Sequence, residues 1–300
     1  MKIPNLVIAG APRCGTTSIF EYLANHPDVC ASDTKETYFF MDKVSPLKAS
    51  RTNYLDHGIE SYANYFTNYS KFASKITLEA TPHYLYQKTA LALLPTLVPP
   101  VKLMFILRKP SARIWSEFNF RKGNISSQSK NLSLKEFVEG AKANHLQDEE
   151  SRNVLEYTKY VDYLVLFKEK CKEDQMLVYL FEDLKKDTAH FMRRLCGDIG
   201  IDSSFYNNYN FPIFNESVVV KNQIFHKVRR KLIARINPWN ALRKTQLIRL
   251  LHNFYYQLNT VKPNEKTSED RAYLAQIDEE FKPYNEGLAH EFNLDLTAWN

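Results

Sequence analysis

The chain has 300 residues, a hydrophobic fraction of 44% and a formal net charge of +6. No stretch is long and apolar enough to span a membrane, which excludes a membrane-spanning protein. The basic excess favours anionic ligands, and the lack of finger, homeodomain or RNA-binding motifs predicts no nucleic-acid partner. Because the first motif begins almost at the initiator methionine, we expect no signal peptide and a soluble, cytoplasmic protein.

The first predicted unit is a strand, a loop and a helix. An apolar run at residues 3–9 leads through a Gly/Pro loop at 10–17 into helical periodicity from Ser18. This order is typical of phosphate-binding loops, in which backbone N–H groups and the following helix N-terminus bind an anion. The glycine spacing is that of nucleoside-triphosphate loops, but Thr16 replaces the lysine that reaches the β- and γ-phosphates. The loop therefore favours a 5′-phosphate without a phosphate chain, with Arg13 supplying positive charge.

A cysteine, Cys14, lies inside this loop. Because helix N-termini lower the pKa of a thiol, one interpretation is a reactive nucleophile, and the other is a small loop-filling side chain. The four cysteines of the chain show no metal-ligand spacing, so we expect reduced thiols and no metal site.

Three further apolar runs each lead into a helical pattern. The predicted strand–helix pairs are residues 75–79 with 84–94, 101–107 with 111–120, and 175–181 with 188–199. The amphipathic stretch 153–171 predicts a packing helix, and helical patterns continue beyond residue 222. Strands that alternate with helices predict an α/β fold: a single P-loop-like domain over residues 1–300, with a central parallel β-sheet flanked by helices.

The charged residues Arg13, Glu79, Arg108 and Asp183 lie at or just after the ends of predicted strands. Ligands of parallel sheets bind at the carboxyl ends of the strands, so we expect these residues at one edge. Ser116 lies about 7–8 Å along the helix after Arg108, at ~1.5 Å per residue. An arginine and a hydroxyl so placed can bind a second phosphate. Two phosphate sites, neither suited to a triphosphate, indicate a nucleotide phosphorylated at both its 3′ and 5′ positions.

These motifs resemble those of the PAPS-dependent sulfotransferases, whose donor is 3′-phosphoadenosine-5′-phosphosulfate (PAPS). Residues 10–18 are similar to the family's 5′-phosphosulfate loop, and Arg108 with Ser116 is similar to its 3′-phosphate pair. Residues 35–40 resemble the K-E-x-x-F-F segment of the glycan branch, especially of heparan sulfate enzymes. Weaker similarities are found at residues 79–84, 177–184 and 294–299.

The resemblance implies transfer of a sulfuryl group from PAPS to a hydroxyl or amine of an acceptor, by in-line displacement. The acceptor class implied is a carbohydrate, a glycolipid or a small molecule. Glu36 matches the general base, and Arg13 matches the basic residue that stabilises the departing oxygen. The residues implied in donor binding are Arg13, Cys14, Gly15, Thr16, Thr17, Ser18, Arg108, Ser116 and Lys221.

The sequence departs from the family pattern at two histidine positions, which Tyr38 and Phe120 occupy here. These replacements place more weight on Glu36 and make His83 a candidate substitute for a histidine that assists proton transfer. Arg113 is explained equally well by a structural salt bridge and by a ligand contact.

Two other functions compete with sulfuryl transfer. One is a P-loop kinase or nucleotide hydrolase with a degenerate loop, in which the Thr17 hydroxyl and the Asp183 carboxylate serve magnesium. The other is a non-catalytic polyanion-binding protein that uses the basic stretch at residues 221–235. The oligomeric state and the acceptor stay open.

Overall fold

The computed structural model describes residues 3–43, 52–67, 73–124, 132–212, 219–220, 260–261 and 265–300. Their tertiary contacts divide them into two compact units. The first unit comprises the described residues within Met1–Arg113, Glu156–Phe214 and Ile277–Asn300, and the second those within Ile114–Leu155 and Asn215–Gln276. The single domain over residues 1–300 stays a prediction.

Five parallel strands form the sheet of the first unit. They are β1 (Leu6–Gly10), β2 (Val29–Ala31), β3 (Ile76–Ala80), β4 (Lys102–Leu107) and β5 (Met176–Leu180), in the order β2-β3-β1-β4-β5. Every residue of β1 and β3 is buried, as expected of parallel strands covered on both faces. The predicted α/β class and parallel sheet are confirmed. The sequence analysis did not find β2, because a run of three residues carries too little periodicity to be recognised.

Ten α-helices are described. They are α1 (Thr16–Asn25), α2 (Tyr54–His57), α3 (Lys88–Leu93), α4 (Pro110–Asn124), α5 (Leu134–Lys142), α6 (Glu149–Arg152), α7 (Tyr160–Lys170), α8 (Phe181–Lys186), α9 (Thr188–Ile199) and α10 (Ser268–Phe292). Among them, none combines the length and the apolar character needed to cross a membrane.

Two predicted helices differ from the structure. The stretch 84–94 is a 3₁₀ turn at Pro82–Tyr86, then α3, then a second 3₁₀ turn at Leu94–Thr96. A proline stands near the start of each 3₁₀ turn, where its missing N–H is tolerated but where it interrupts a continuous helix. The stretch 153–171 becomes an α-helix only at Tyr160.

Two helices of the second unit, α5 and α6, were missed, and α5 carries the clearer sequence signal. It begins with a capping box, in which Ser133 and Glu136 bond each other's backbone N–H groups, a pattern that is readable from sequence. In the same unit the buried Arg121 pairs with Glu117 at 2.5 Å, with Asp148 at 3.1 Å and with Glu150. A short antiparallel pair, β6 (Val219–Val220) with β7 (Thr260–Val261), is also described.

An aromatic cluster anchors the segment that follows β2. The rings of Phe39 and Tyr62 stack with centroids 4.2 Å apart, and Phe40 lies edge-to-face against both Tyr62 and Tyr84. Phe39 and Phe40 are fully buried. Burial of these two large side chains fixes the backbone immediately after residues 35–38 against the core.

Candidate active site

The loop between β1 and α1 has the geometry of an anion site. Its backbone takes left-handed conformations at Arg13, with φ 70°, and at Gly15, with φ 84°. Helix α1 starts at Thr16, and Gly15 provides no side-chain cap. The first N–H groups of a helix have no acceptor within the helix, which is why helix N-termini such as that of α1 suit an anion.

Bonds from neighbouring elements hold this loop in place. Ala11 N donates to the Ile106 carbonyl of β4 at 2.9 Å. The buried Arg113 donates from Nε to the Pro12 carbonyl at 3.3 Å and from Nη1 to Thr158 Oγ1 at 2.6 Å. The sequence was compatible with either a structural salt bridge or a ligand contact for Arg113. In the structure, its hydrogen bonds support the backbone of the loop.

Arg108 lies beside the same loop. Its Nη1 donates to the Arg13 carbonyl at 3.3 Å, and its guanidinium lies 4.6 Å from the centre of the Phe181 ring. Contacts of this kind fix the plane of a guanidinium before a ligand arrives. The structure thus brings together Arg13 and Arg108, the two cations predicted to bind phosphate groups.

Two predicted donor-binding residues are not joined to this cluster by the structure. Ser116 is buried in α4 and belongs to the second unit, so its pairing with Arg108 stays a prediction. Lys221 and the basic stretch 221–235 lie outside the described residues.

Cys14 is a packing residue of the loop. Its side chain is fully buried, and its Sγ lies 3.7 Å from the Tyr160 hydroxyl. Burial raises the pKa of the thiol to about 11 despite the nearby charge of Arg113. The thiol is therefore protonated at neutral pH, and the interpretation of Cys14 as a reactive nucleophile is wrong.

Glu36 lies at the carboxyl edge of the sheet. Its N–H donates to the carbonyl of Ala80, the last residue of β3, at 2.8 Å. The Ala80 carbonyl points to the side of β3 that pairs with β2, as does the Leu78 carbonyl that accepts the Ser32 N–H. Glu36 and the phosphate loop after β1 therefore lie at the same edge of the sheet, with β3 between them. Glu36 has φ 62° and Tyr38 has φ 59°. Left-handed backbone at non-glycine residues is strained, and such strain is concentrated at functional sites.

Both carboxylate oxygens of Glu36 accept hydrogen bonds within the chain. Lys35 Nζ donates to Oε1 at 2.7 Å, and the Tyr38 hydroxyl donates to Oε2. Burial alone would raise the pKa of Glu36, but the Lys35 ammonium, these two bonds and the charge of His83 lower it to about 2. Glu36 is therefore ionised throughout the neutral range.

His83 lies on the 3₁₀ turn after β3, with its ring centre 6.1 Å from that of Tyr38. The structure therefore brings together Glu36 and His83, the two residues predicted to handle the proton. Sequence reasoning missed the parts of Lys35 and Tyr38, although both are within two positions of Glu36.

The segment after β5 is tied to the C-terminus. Glu182 accepts the Lys109 N–H at 3.1 Å and the Trp299 indole N–H at 2.8 Å. The next residue, Asp183, is half-buried and pairs with Arg194 at 3.4 Å. This ion pair gives little support to the magnesium-binding part that the kinase-like alternative assigns to Asp183.

The described strands and helices define an α/β protein with a parallel sheet, whose first strand leads through a Gly/Pro loop into a helix. Residues 4–234 match the sulfotransferase domain family, and the chain belongs to that family. A structure with the same fold is a sulfotransferase from Alicyclobacillus acidocaldarius, with a TM-score of 0.58 and 20% identity over 83% of this chain and 97% of that one.

Curated relatives match parts of this chain. The membrane-associated sulfotransferase kil1 of Dictyostelium discoideum is 31% identical over 39% of this chain and 23% of its own length. A human bifunctional heparan sulfate N-deacetylase/N-sulfotransferase 3 is 24% identical over 46% of this chain and 15% of its own length. The mouse heparan sulfate glucosamine 3-O-sulfotransferase 3A1 is 24% identical over 72% of this chain and 52% of its own length. The matched segments thus span about half or less of these relatives.

Proposed function

We propose that this protein transfers a sulfuryl group from PAPS to a hydroxyl or amine of a carbohydrate or glycolipid acceptor, with Glu36 as general base. The observation that carries the proposal is that two features share one edge of the sheet. A loop suited to an anion follows β1, and the ionised residue Glu36 is bonded through its backbone N–H to the end of β3. The donor anion and the acceptor proton can therefore be handled at the same edge.

Donor binding is assigned to the loop and to two arginines. The N–H groups at the start of α1, with Thr16 and Thr17, suit a 5′-phosphate, and Arg13 suits the charge on the departing oxygen. Arg108, held by the Arg13 carbonyl and the Phe181 ring, suits a 3′-phosphate. These residues fit a nucleotide with separate anionic groups better than a triphosphate chain, which would need a lysine where Thr16 stands.

The chemical step is a displacement at sulfur. The donor supplies an activated sulfuryl group, and a new bond from the acceptor oxygen or nitrogen to sulfur replaces the bond to the 5′-phosphate oxygen. Glu36 takes the proton that the acceptor loses. Lys35 and Tyr38 each donate to one oxygen of Glu36, and the acceptor group would either bond beside one of these donors or replace it. The Tyr38 bond is the easier one to replace, since it carries no charge–charge attraction.

A carbohydrate acceptor is supported by the surroundings of Glu36 and by two relatives. The half-buried rings of Tyr38 and His83 flank the carboxylate, and aromatic rings beside polar groups suit sugar binding. Two of the relatives carry heparan sulfate in their names. A cytoplasmic location stays a prediction.

Calorimetric titration with adenosine 3′,5′-bisphosphate tests the donor assignment. We expect Arg108→Ala to weaken binding by about 1.5–3 kcal/mol, the usual cost of losing a charge-assisted bond. Lys88→Ala, which changes an exposed lysine on α3, is the matched control and should bind like wild type. Unchanged affinity in Arg108→Ala would overturn the assignment.

Transfer from radiolabelled PAPS to a panel of oligosaccharides, glycolipids and small phenols tests the reaction and identifies the acceptor. We expect turnover to persist in EDTA. Loss of turnover in EDTA with recovery in magnesium, together with tighter binding of ATP than of the bisphosphate, would favour the kinase-like function instead.

A further inference from the structure

Glu79 is a fully buried carboxyl group next to the turn that carries Glu36. It precedes Ala80, whose carbonyl accepts the Glu36 N–H, and its side chain is 0% exposed. A carboxyl group is rarely buried to this extent, because removing it from water is costly unless it is bonded. The reaction proposed above gives Glu79 no part.

One carboxyl oxygen of Glu79 gathers three hydrogen bonds. Oε1 accepts from the Thr81 hydroxyl at 2.6 Å, from the Thr37 hydroxyl at 3.0 Å and from the Thr37 N–H at 3.4 Å. Thr81 Oγ1 in turn accepts the Tyr38 N–H at 3.2 Å. The bonds therefore hold Thr37 directly and Tyr38 through one intermediate.

These bonds fall on a strained piece of backbone. Thr37 lies between Glu36 and Tyr38, both of which are left-handed, and such a conformation persists only when its surroundings hold it. The same turn determines where the Glu36 carboxylate and the Tyr38 hydroxyl point. A displacement of a base by about 1 Å can cost about a hundredfold in rate.

We propose that Glu79 is a positioning residue, which fixes the turn carrying Glu36 through Thr37 and Thr81 and so aims the base at the acceptor. The inference rests on the proposed function, because it presumes that Glu36 takes the proton.

The ionisation of Glu79 falls in an accessible pH range. Burial raises its pKa to about 7, opposed by the threonine bonds and the Lys35 ammonium. The other titratable groups facing it are the hydroxyls of Tyr62 and Tyr84, whose pKa values burial and the Glu79 carboxyl raise. The ionised form accepts stronger bonds at Oε1, and the turn tightens as pH rises through about 7.

Two substitutions of Glu79 distinguish the effect of its hydrogen-bond-accepting oxygen from the effect of its negative charge. Glu79→Leu removes both, and we expect kcat to fall by at least about tenfold while the affinity for adenosine 3′,5′-bisphosphate stays within about twofold. Glu79→Gln keeps an oxygen and removes the ionisation. We expect its kcat to match that of wild type below about pH 6 and to lack the rise between about pH 6 and 8. Thr77→Val, on the same face of β3, is the matched control and should leave kcat unchanged.

Thr37→Val and Thr81→Val keep the test decisive if Glu79→Leu does not fold. Each removes a hydroxyl that donates to Glu79, and each should lower kcat at constant bisphosphate affinity. The inference is overturned if kcat is unchanged in these variants, if kcat and bisphosphate affinity fall together, or if Glu79→Gln keeps the rise near pH 7. Failure of the proposed function looks different: Glu36→Gln would then retain full turnover.

Discussion

At the scale of single residues, Glu36 is the group on which the proposed chemistry depends. Its pKa of about 2 keeps it ionised, and its backbone bond to Ala80 places it at the edge of the sheet that also carries the donor loop. We expect Glu36→Gln to lower kcat by roughly 10²–10⁴-fold, the usual contribution of a general base, with donor affinity nearly unchanged. Steady-state kinetics and calorimetry with adenosine 3′,5′-bisphosphate measure the two quantities separately.

Glu60→Gln, a neutralised acid on the exposed surface of the first unit, is the control for the loss of one negative charge. His83→Ala should have a smaller effect than Glu36→Gln. A Glu36→Gln protein that keeps most of its turnover, beside a His83→Ala protein that loses it, would show that the two roles are reversed.

At the scale of elements, the junction of β1, loop and α1 depends on Gly15. Its φ is 84°, and a Cβ atom there would lie 2.7 Å from the Phe181 ring and 3.3 Å from Leu184. Gly15→Ala therefore meets backbone strain and a clash, and we expect a loss of at least about 1–3 kcal/mol of unfolding free energy. Thermal unfolding measures the loss, and bisphosphate binding should weaken because the loop must shift.

Gly197→Ala in α9 is the matched glycine control, because nothing lies within 4 Å of its added Cβ. A helical glycine with free space should gain about 0.4–1 kcal/mol on substitution. Equal stability changes in the two variants would contradict the special geometry assigned to Gly15.

At the scale of the whole molecule, the first unit is assembled from three separate parts of the chain. The last part is held by Trp299, which is buried and donates its indole N–H to Glu182 at 2.8 Å. Trp299→Phe keeps an aromatic ring but leaves that carboxylate oxygen unbonded. We expect a loss of about 1.5–3 kcal/mol in urea unfolding. Ala298→Ser, at the exposed neighbouring position, is the control and should leave the urea unfolding midpoint unchanged. If the Trp299→Phe and Ala298→Ser proteins unfold at the same urea concentration, the anchoring role of Trp299 is refuted.

Much of the architecture is readable from the sequence because parallel strands buried on both faces must be continuous apolar runs. Four of the five strands of the sheet were predicted for this reason, and the loop after β1 was predicted from its Gly/Pro content. The predicted ends of helices were less accurate where a helical pattern contains prolines. The stretch 84–94 was predicted as one helix, but prolines near its two ends divide it into an α-helix between two 3₁₀ turns.

Residue types and spacing indicated the anion-binding loop and the candidates Arg13 and Arg108, and the resemblance to the sulfotransferase motifs implied Glu36 and His83. Only the tertiary structure decided how the side chains are held. It determined the partners of both Glu36 oxygens, the burial that keeps the Cys14 thiol protonated, and the hydrogen bonds that Glu79 accepts from Thr37. A sequence motif identifies the chemical groups present at a site, because the reaction requires those residue types. Hydrogen-bond partners and pKa values depend on burial and on residues distant in sequence, such as Glu79 and Thr37, which only the folded sheet edge brings together.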